Sequence, residues 1–165
     1  MTKKKYPLEQ LVEIKRRRLD EAERLLKRKK DELKKEQEKL EKLEKERNKT
    51  AQHRADKIQQ LRDELDKGTT TDKIAIMRDY LKVVNEELEQ KEKKVQDQMK
   101  IVEKAKEKVE EARKNMVKRQ YDIEKLKIHR KEWEKKMKIL EDYEEGLETD
   151  EMGTVMHNLK KHKGK

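Results

Sequence analysis

Lys67-Gly68-Thr69-Thr70-Thr71-Asp72 is the one strong reversal signal in the interior of this 165-residue chain, and its reading decides the fold. Gly68 can take the left-handed conformation that ends a helix. One of the threonines can cap a second helix, and Asp72 in its first turn favours the positive end of the helix dipole. Away from this point breakers are scarce. The sole proline is Pro7, which can sit in the first turn of a helix. The other glycines are Gly146, Gly153 and Gly164. Two very long uninterrupted windows remain, one on each side of the turn.

Periodicity says what the windows do. From Leu8 the steps of four and three run through Val12, Lys15, Leu19, Ala22, Leu26, Lys29, Leu33, Glu36, Leu40 and Leu43. A stutter is expected at Arg47 and Ala51, after which Arg54, Ile58, Leu61 and Leu65 resume. The second window alternates without a break from Ile74 to Glu144, and 16 of its 21 seam positions are apolar. A 3.5-residue repeat sustained this long is the pattern of a left-handed coiled coil. Folding about residues 69–70 pairs positions whose numbers sum to about 139. Leu65 then meets Ile74, Ile58 meets Leu81, Ala51 meets Leu88, Ala22 meets Met116 and Val12 meets Leu126, while Tyr6 lands near Trp133.

The expected fold is therefore all-α, a long two-helix antiparallel coiled-coil hairpin over residues 1–146, roughly 90 Å long. Helix 1 should span about 7–67, the turn 68–71 and helix 2 about 72–145, with Gly146 as its end. Residues 147–165 are expected as a basic C-terminal tail, flexible or a short helix. Polar seam residues (Lys15, Lys29, Glu36, Arg47, Lys91, Gln98, Arg119, Arg130) are read as devices that fix register.

Composition agrees. Charged residues make up 52% and apolar ones 30% of the chain, with no Phe and one Trp. So few apolar groups can fill a seam between helices but not a compact core around a concave pocket. There is no Cys, and no Ser, so the commonest nucleophiles and thiolate metal sites are missing. None of the four histidines (His53, His129, His157, His162) has an i,i+4 ligand partner in the manner of H-E-x-x-H. No enzyme activity, cofactor, metal or small-molecule substrate is expected. No stretch approaches the ~18 apolar residues of a membrane span. Met1-Thr2-Lys3-Lys4-Lys5 is like the start of a signal peptide, but no apolar segment follows it.

The net charge of +10 suits an acidic protein surface, nucleic acid or anionic lipid. Residues 1–30 hold 12 basic and 5 acidic side chains, including Arg16, Arg17 and Arg18. Leucines run through this basic part and the chain folds back, unlike a basic zipper, and stacking platforms are absent. The balance favours a protein partner over nucleic acid, with a membrane reached only through partners. Two apolar patches lie off the seam. Ile76, Tyr80 and Val83 form a stripe near the turn. Leu11, Ile14 and Leu25 are expected to face Val117, Tyr121 and Ile128 near the open end, close to Trp133. Both patches are consistent with a widened seam or with contact surfaces.

Several segments stand outside the Lys/Glu/Leu background. They are Tyr6-Pro7-Leu8, Asp66-Lys67-Gly68-Thr69-Thr70-Thr71-Asp72, Tyr80-Leu81-Lys82-Val83-Val84, His129-Arg130-Lys131-Glu132-Trp133, and Asp150-Glu151-Met152-Gly153 followed by His157. In these the chain resembles the YscO-like stalk proteins of type III secretion, most closely their chlamydial members, a family related to the flagellar export protein FliJ. The resemblance implies a helical hairpin without an active site. It implies a partner in the hexameric secretion ATPase, whose assembly and activity such proteins promote, and another in the export gate. Some members bind substrate chaperones or a needle-length regulator. The implied location is the bacterial cytoplasm, peripheral to the secretion apparatus at the inner membrane. By this resemblance Ile76, Tyr80 and Val83 are gate-side residues. The basic open end, with Leu11, Ile14, Arg16, Arg17, Arg18, Leu25, Tyr121, Ile128 and Trp133, is the ATPase side. The competing reading is a generic structural coiled coil, or a basic binder of nucleic acid or membrane surfaces.

Overall fold

A computed structural model of the chain describes residues 5–163; the first four residues, with most of the signal-like start, and the last two of the tail lie outside the described residues. The chain forms two helices, α1 (Glu9–Asp66) and α2 (Thr71–Lys163). The turn between them works as its residues predict. Gly68 has φ +75° and is the only described residue with positive φ. Its amide donates to the Leu65 carbonyl (3.1 Å) and the Thr69 amide donates to the Glu64 carbonyl (3.3 Å). These are the paired 5→2 and 6→1 bonds of a Schellman motif, which satisfy carbonyls that the end of α1 would otherwise orphan. Thr70 is the N-cap of α2, its carbonyl accepting from the Ile74 amide at 3.3 Å. At the other end Pro7 precedes α1. It occupies the second position of a turn closed by the Glu9 amide donating to the Tyr6 carbonyl at 3.2 Å, where its fixed φ is already suited.

The chain divides into two compact units, residues 22–116 and residues 5–21 with 117–163 among those described. In the first, the helices run antiparallel around a seam containing Ala22, Leu26, Val84, Val95, Val102 and Ala112, all buried. Val95 is only 1% exposed. In the second, Tyr6, Val12 and Ile123 are buried. One cross-helix hydrogen bond in each unit falls on the expected register. Arg54 is hydrogen-bonded to Asn85 and Arg130 to Glu9, each pair falling where folding about residues 69–70 puts it.

The polar seam residues are satisfied. Gln98, 8% exposed, donates from Nε2 to the Glu36 carbonyl oxygen (3.1 Å) and to its carboxylate (2.7 Å). Lys91 Nζ donates to Thr50 Oγ1 at 2.7 Å and pairs with Glu87. Among the described residues no buried side-chain nitrogen or oxygen lacks a partner. A one-heptad slip would break these bonds and bury unpaired polar groups, so the polar layers select the register.

Two expectations about the helices fail. The stutter does not occur: Thr50 is buried in the seam and Ala51 is exposed. Keeping the strict alternation requires only that one threonine hydroxyl be buried, and Lys91 satisfies it. The expected Ala51–Leu88 layer is lost in consequence, and toward the turn Leu65 is 46% exposed. Second, Gly146 does not end helix 2. Its φ is not positive, and α2 continues through it to Lys163. A glycine inside a helix costs about 1 kcal/mol relative to alanine, but without a left-handed conformation or a following proline it does not stop the chain. Residues 147–163 are therefore the last turns of α2 rather than a separate tail.

Candidate interaction surfaces

At the turn end, α2 carries Ile76, Tyr80 and Val83 at i, i+4 and i+7, one stripe on the helix surface. All three are exposed, Ile76 by 69%. They do not widen the seam. The stripe is joined from α1 by His53, whose Nε2 lies 2.9 Å from Tyr80 Oη, and by Lys57, whose ammonium sits 5.8 Å from the Tyr80 ring centre. The His53 ring meets Tyr80 edge-on at 6.0 Å. A shallow groove lined by Lys57, Gln60, Ile76, Met77 and Tyr80 results, outside which Val83 extends the apolar stripe. Sequence reasoning missed His53 and Lys57. The register puts His53 opposite residue 86 (139 − 53), and only the reach of the tyrosine and imidazole side chains brings them together.

At the open end the contacts centre on Tyr6. Its hydroxyl lies 2.7 Å from His129 Nδ1, and its ring packs edge-on against Trp133 with centres 5.5 Å apart. The Arg130 guanidinium lies 5.6 Å from the Tyr6 ring centre and bridges Glu9 (3.0 Å) and Glu134 (3.1 Å). The hydrogen bond that Arg130 donates to Glu134, then the charge of Glu9, raise the Arg130 pKa further. About two turns further in, Lys15 Nζ donates to Asp122 at 2.7 Å, and this bond holds the Asp122 carboxyl below its ordinary range.

The open-end residues named from the sequence differ in exposure. Trp133 is half-buried against Tyr6, whereas Leu11, Ile14, Tyr121 and Ile128 are exposed. Arg16, Arg17 and Arg18 are also exposed, with Arg17 paired to Glu13 at 3.6 Å. Leu25 belongs to the other unit, where it is half-buried beside buried Leu26. Nor is this end uniformly basic. Between Ile139 and Glu151, α2 carries seven acidic residues (Glu141, Asp142, Glu144, Glu145, Glu148, Asp150, Glu151) and no basic one. The block stands out in the sequence itself, between the basic N-terminal residues and the lysines near the C-terminus.

Two long helices joined by one turn, with no strand among the described residues, define the fold as a helical hairpin. The YscO-like family profile matches residues 3–163, and the chain belongs to the YscO-like family. A solved structure described as a YscO homolog, CT670 from Chlamydia trachomatis, is similar at a TM-score of 0.92 and 42% identity, covering 96% of this chain and 98% of that one. No curated protein matches. Membership relates the chain to type III secretion and to structural secretion proteins. No described helix is long and apolar enough to cross a membrane.

Proposed function

We propose that this protein is the central stalk component of a type III secretion system. In this reading it binds the hexameric secretion ATPase, promotes its assembly and activity, and links it to the export gate. Secretion chaperones or a needle-length regulator are further partners, and the protein works in the bacterial cytoplasm beside the apparatus at the inner membrane. The observation that carries the proposal is the family match over residues 3–163. Chemistry supports it. A seam with buried polar layers is register-locked, so displacement at one end is passed along the helices rather than lost in slippage. Exposed apolar side chains stand near the turn and near the open end, where partners would be held.

Light scattering of the full chain mixed with the cognate ATPase tests the first contact. A complex larger than either component is expected, and two unshifted peaks would remove the ATPase from the proposal. The double variant Ile76→Asp/Tyr80→Asp tests the second. It should keep its helix content, lose gate binding and retain ATPase binding. If gate binding survives, the stripe near the turn is not the gate contact.

A further inference from the structure

Beyond Trp133 and Met137 the apolar alternation of α2 runs on past the point where α1 begins, at Glu9. Leu140 and Leu147 continue the four-and-three alternation of Trp133 and Met137. Leu140 is 44% and Leu147 48% exposed. The flanks of this bare seam differ. Glu134, Glu141, Glu145 and Glu148 project along one side, and Ile139 and Tyr143 along the other, as the helical spacing requires. Trp133, Glu134, Met137, Glu141 and Glu145 line one open groove, to which Lys5, Arg130 and Lys138 also contribute. Glu134 pairs with Arg130, but Glu141, Glu145 and Glu148 engage in no ion pair among the described residues.

We propose that this groove is a docking site for a basic amphipathic helix of a partner protein. That helix takes over the seam where α1 leaves it. Its apolar stripe lies on Trp133, Met137, Leu140 and Leu147, and its lysines or arginines face the glutamate row. Two observations choose this occupant. The groove is continuous with a coiled-coil seam, whose natural complement is another helix with apolar residues every 3.5 positions. Its polar flank is predominantly acidic, with Lys138 among Glu134, Glu141, Glu145 and Glu148, and a net negative flank steers and selects a partner of the other sign. A second copy pairing through the same segment is disfavoured, because residues 139–151 carry seven negative charges and no positive one, so two such faces repel. The same charge disfavours phosphate-bearing partners. The groove's chemistry stands whether or not the hairpin binds a secretion ATPase.

Trp133 is the only tryptophan in the chain, so its fluorescence reports this groove alone. The probe is a synthetic peptide of about three heptads with Leu at the seam positions and Lys on the flanks. Its counterpart carries Glu in place of Lys. Titrating the full-length chain with the Lys peptide should give a saturable blue shift, and the Glu peptide none. Leu140→Asp/Leu147→Asp should weaken the Lys peptide at least about tenfold with an unchanged melting curve. Met156→Asp, two and a half turns beyond Leu147, should bind as the parent does. Glu141→Lys/Glu145→Lys/Glu148→Lys should reverse the preference between the peptides. The proposal fails if the leucine variant binds the Lys peptide undiminished, since bare charge attraction would then suffice. It fails equally if both peptides bind alike, if Trp133 does not respond, or if sedimentation shows that the parent chain dimerises through these leucines.

Discussion

Residues 84–112 of α2 and residues 139–159 of the same helix make an instructive pair. Both are helical throughout, both are dominated by charge, and both carry regularly spaced apolar side chains. In the first stretch Val84, Val95, Val102 and Ala112 are buried; in the second Leu140, Tyr143, Leu147, Val155 and Leu159 are exposed. Local sequence decides that each is a helix. Whether its apolar stripe becomes a core depends on a second helix lying opposite, which α1 supplies to one stretch and not to the other. An apolar stripe is thus a statement about a partner, and the partner need not be in the same chain.

The sharpest way to break this comparison is to put the same charge into both stretches. Val95→Asp buries an unpaired carboxylate and should cost at least ~3 kcal/mol, seen as a large drop in the circular-dichroism melting temperature. Leu147→Asp should change stability by less than ~0.5 kcal/mol, and so should deletion of residues 147–165. A marked loss on deletion would mean that these last turns are docked rather than free.

The glycines extend the contrast on a smaller scale. Gly68→Ala meets no atom within 4 Å, so its cost is backbone strain at φ +75° alone, about 1 kcal/mol. Gly146→Ala, also in open space but in ordinary helical conformation, should instead strengthen its helix by up to ~1 kcal/mol. Amide exchange around residue 146 would register this as slower local opening. A destabilised Gly146→Ala would show that the glycine is needed for a bend or a close approach.

Acid should produce the smallest effect. Lys15 lowers the Asp122 pKa, and Lys39 followed by Gln98 lower that of Glu36. Carboxylates lowered in the folded state stabilise it above their ordinary values, 3.8 for Asp and 4.5 for Glu, and lose that contribution as pH falls through the lower folded values. The melting temperature should therefore decline gently below about pH 4.5, and Asp122→Asn should flatten the decline. These groups are solvent-screened, so a steep cooperative acid transition would point to other carboxylates.

Much of this architecture could be read from residue spacing. Gly68 and Thr70 specify the reversal, and the α2 seam from Ile74 to Met137 is buried or half-buried at every position the alternation names. The pairing of Tyr6 with Trp133 follows from the register. What escaped had specific causes. The apolar character of Ala51 outweighed the periodicity that places Thr50 in the seam, because a threonine's burial depends on whether a lysine from the other helix reaches it. Gly146 was read by type, whereas only its backbone angle distinguishes a cap from an interior residue. At the interaction surfaces, the stripe Ile76, Tyr80, Val83 was legible from helical spacing. The contribution of His53 was not, because it depends on side-chain reach across the seam.

The compact reversal at Gly68 also dictates an order of assembly. Contacts near it join residues 27 and 31 positions apart (His53 with Tyr80, Arg54 with Asn85), whereas Gln98 must find Glu36 across 62 positions and His129 must find Tyr6 across 123. The entropy of closing a loop rises with its length, so pairing is expected to start beside the turn and to advance as a zipper, each closed layer shortening the loop that the next must close. Unfolding should run in reverse. Pulsed amide exchange during refolding would then protect the residues flanking Gly68 first and those around Tyr6 last, and a reversed order would mean that the helices nucleate elsewhere.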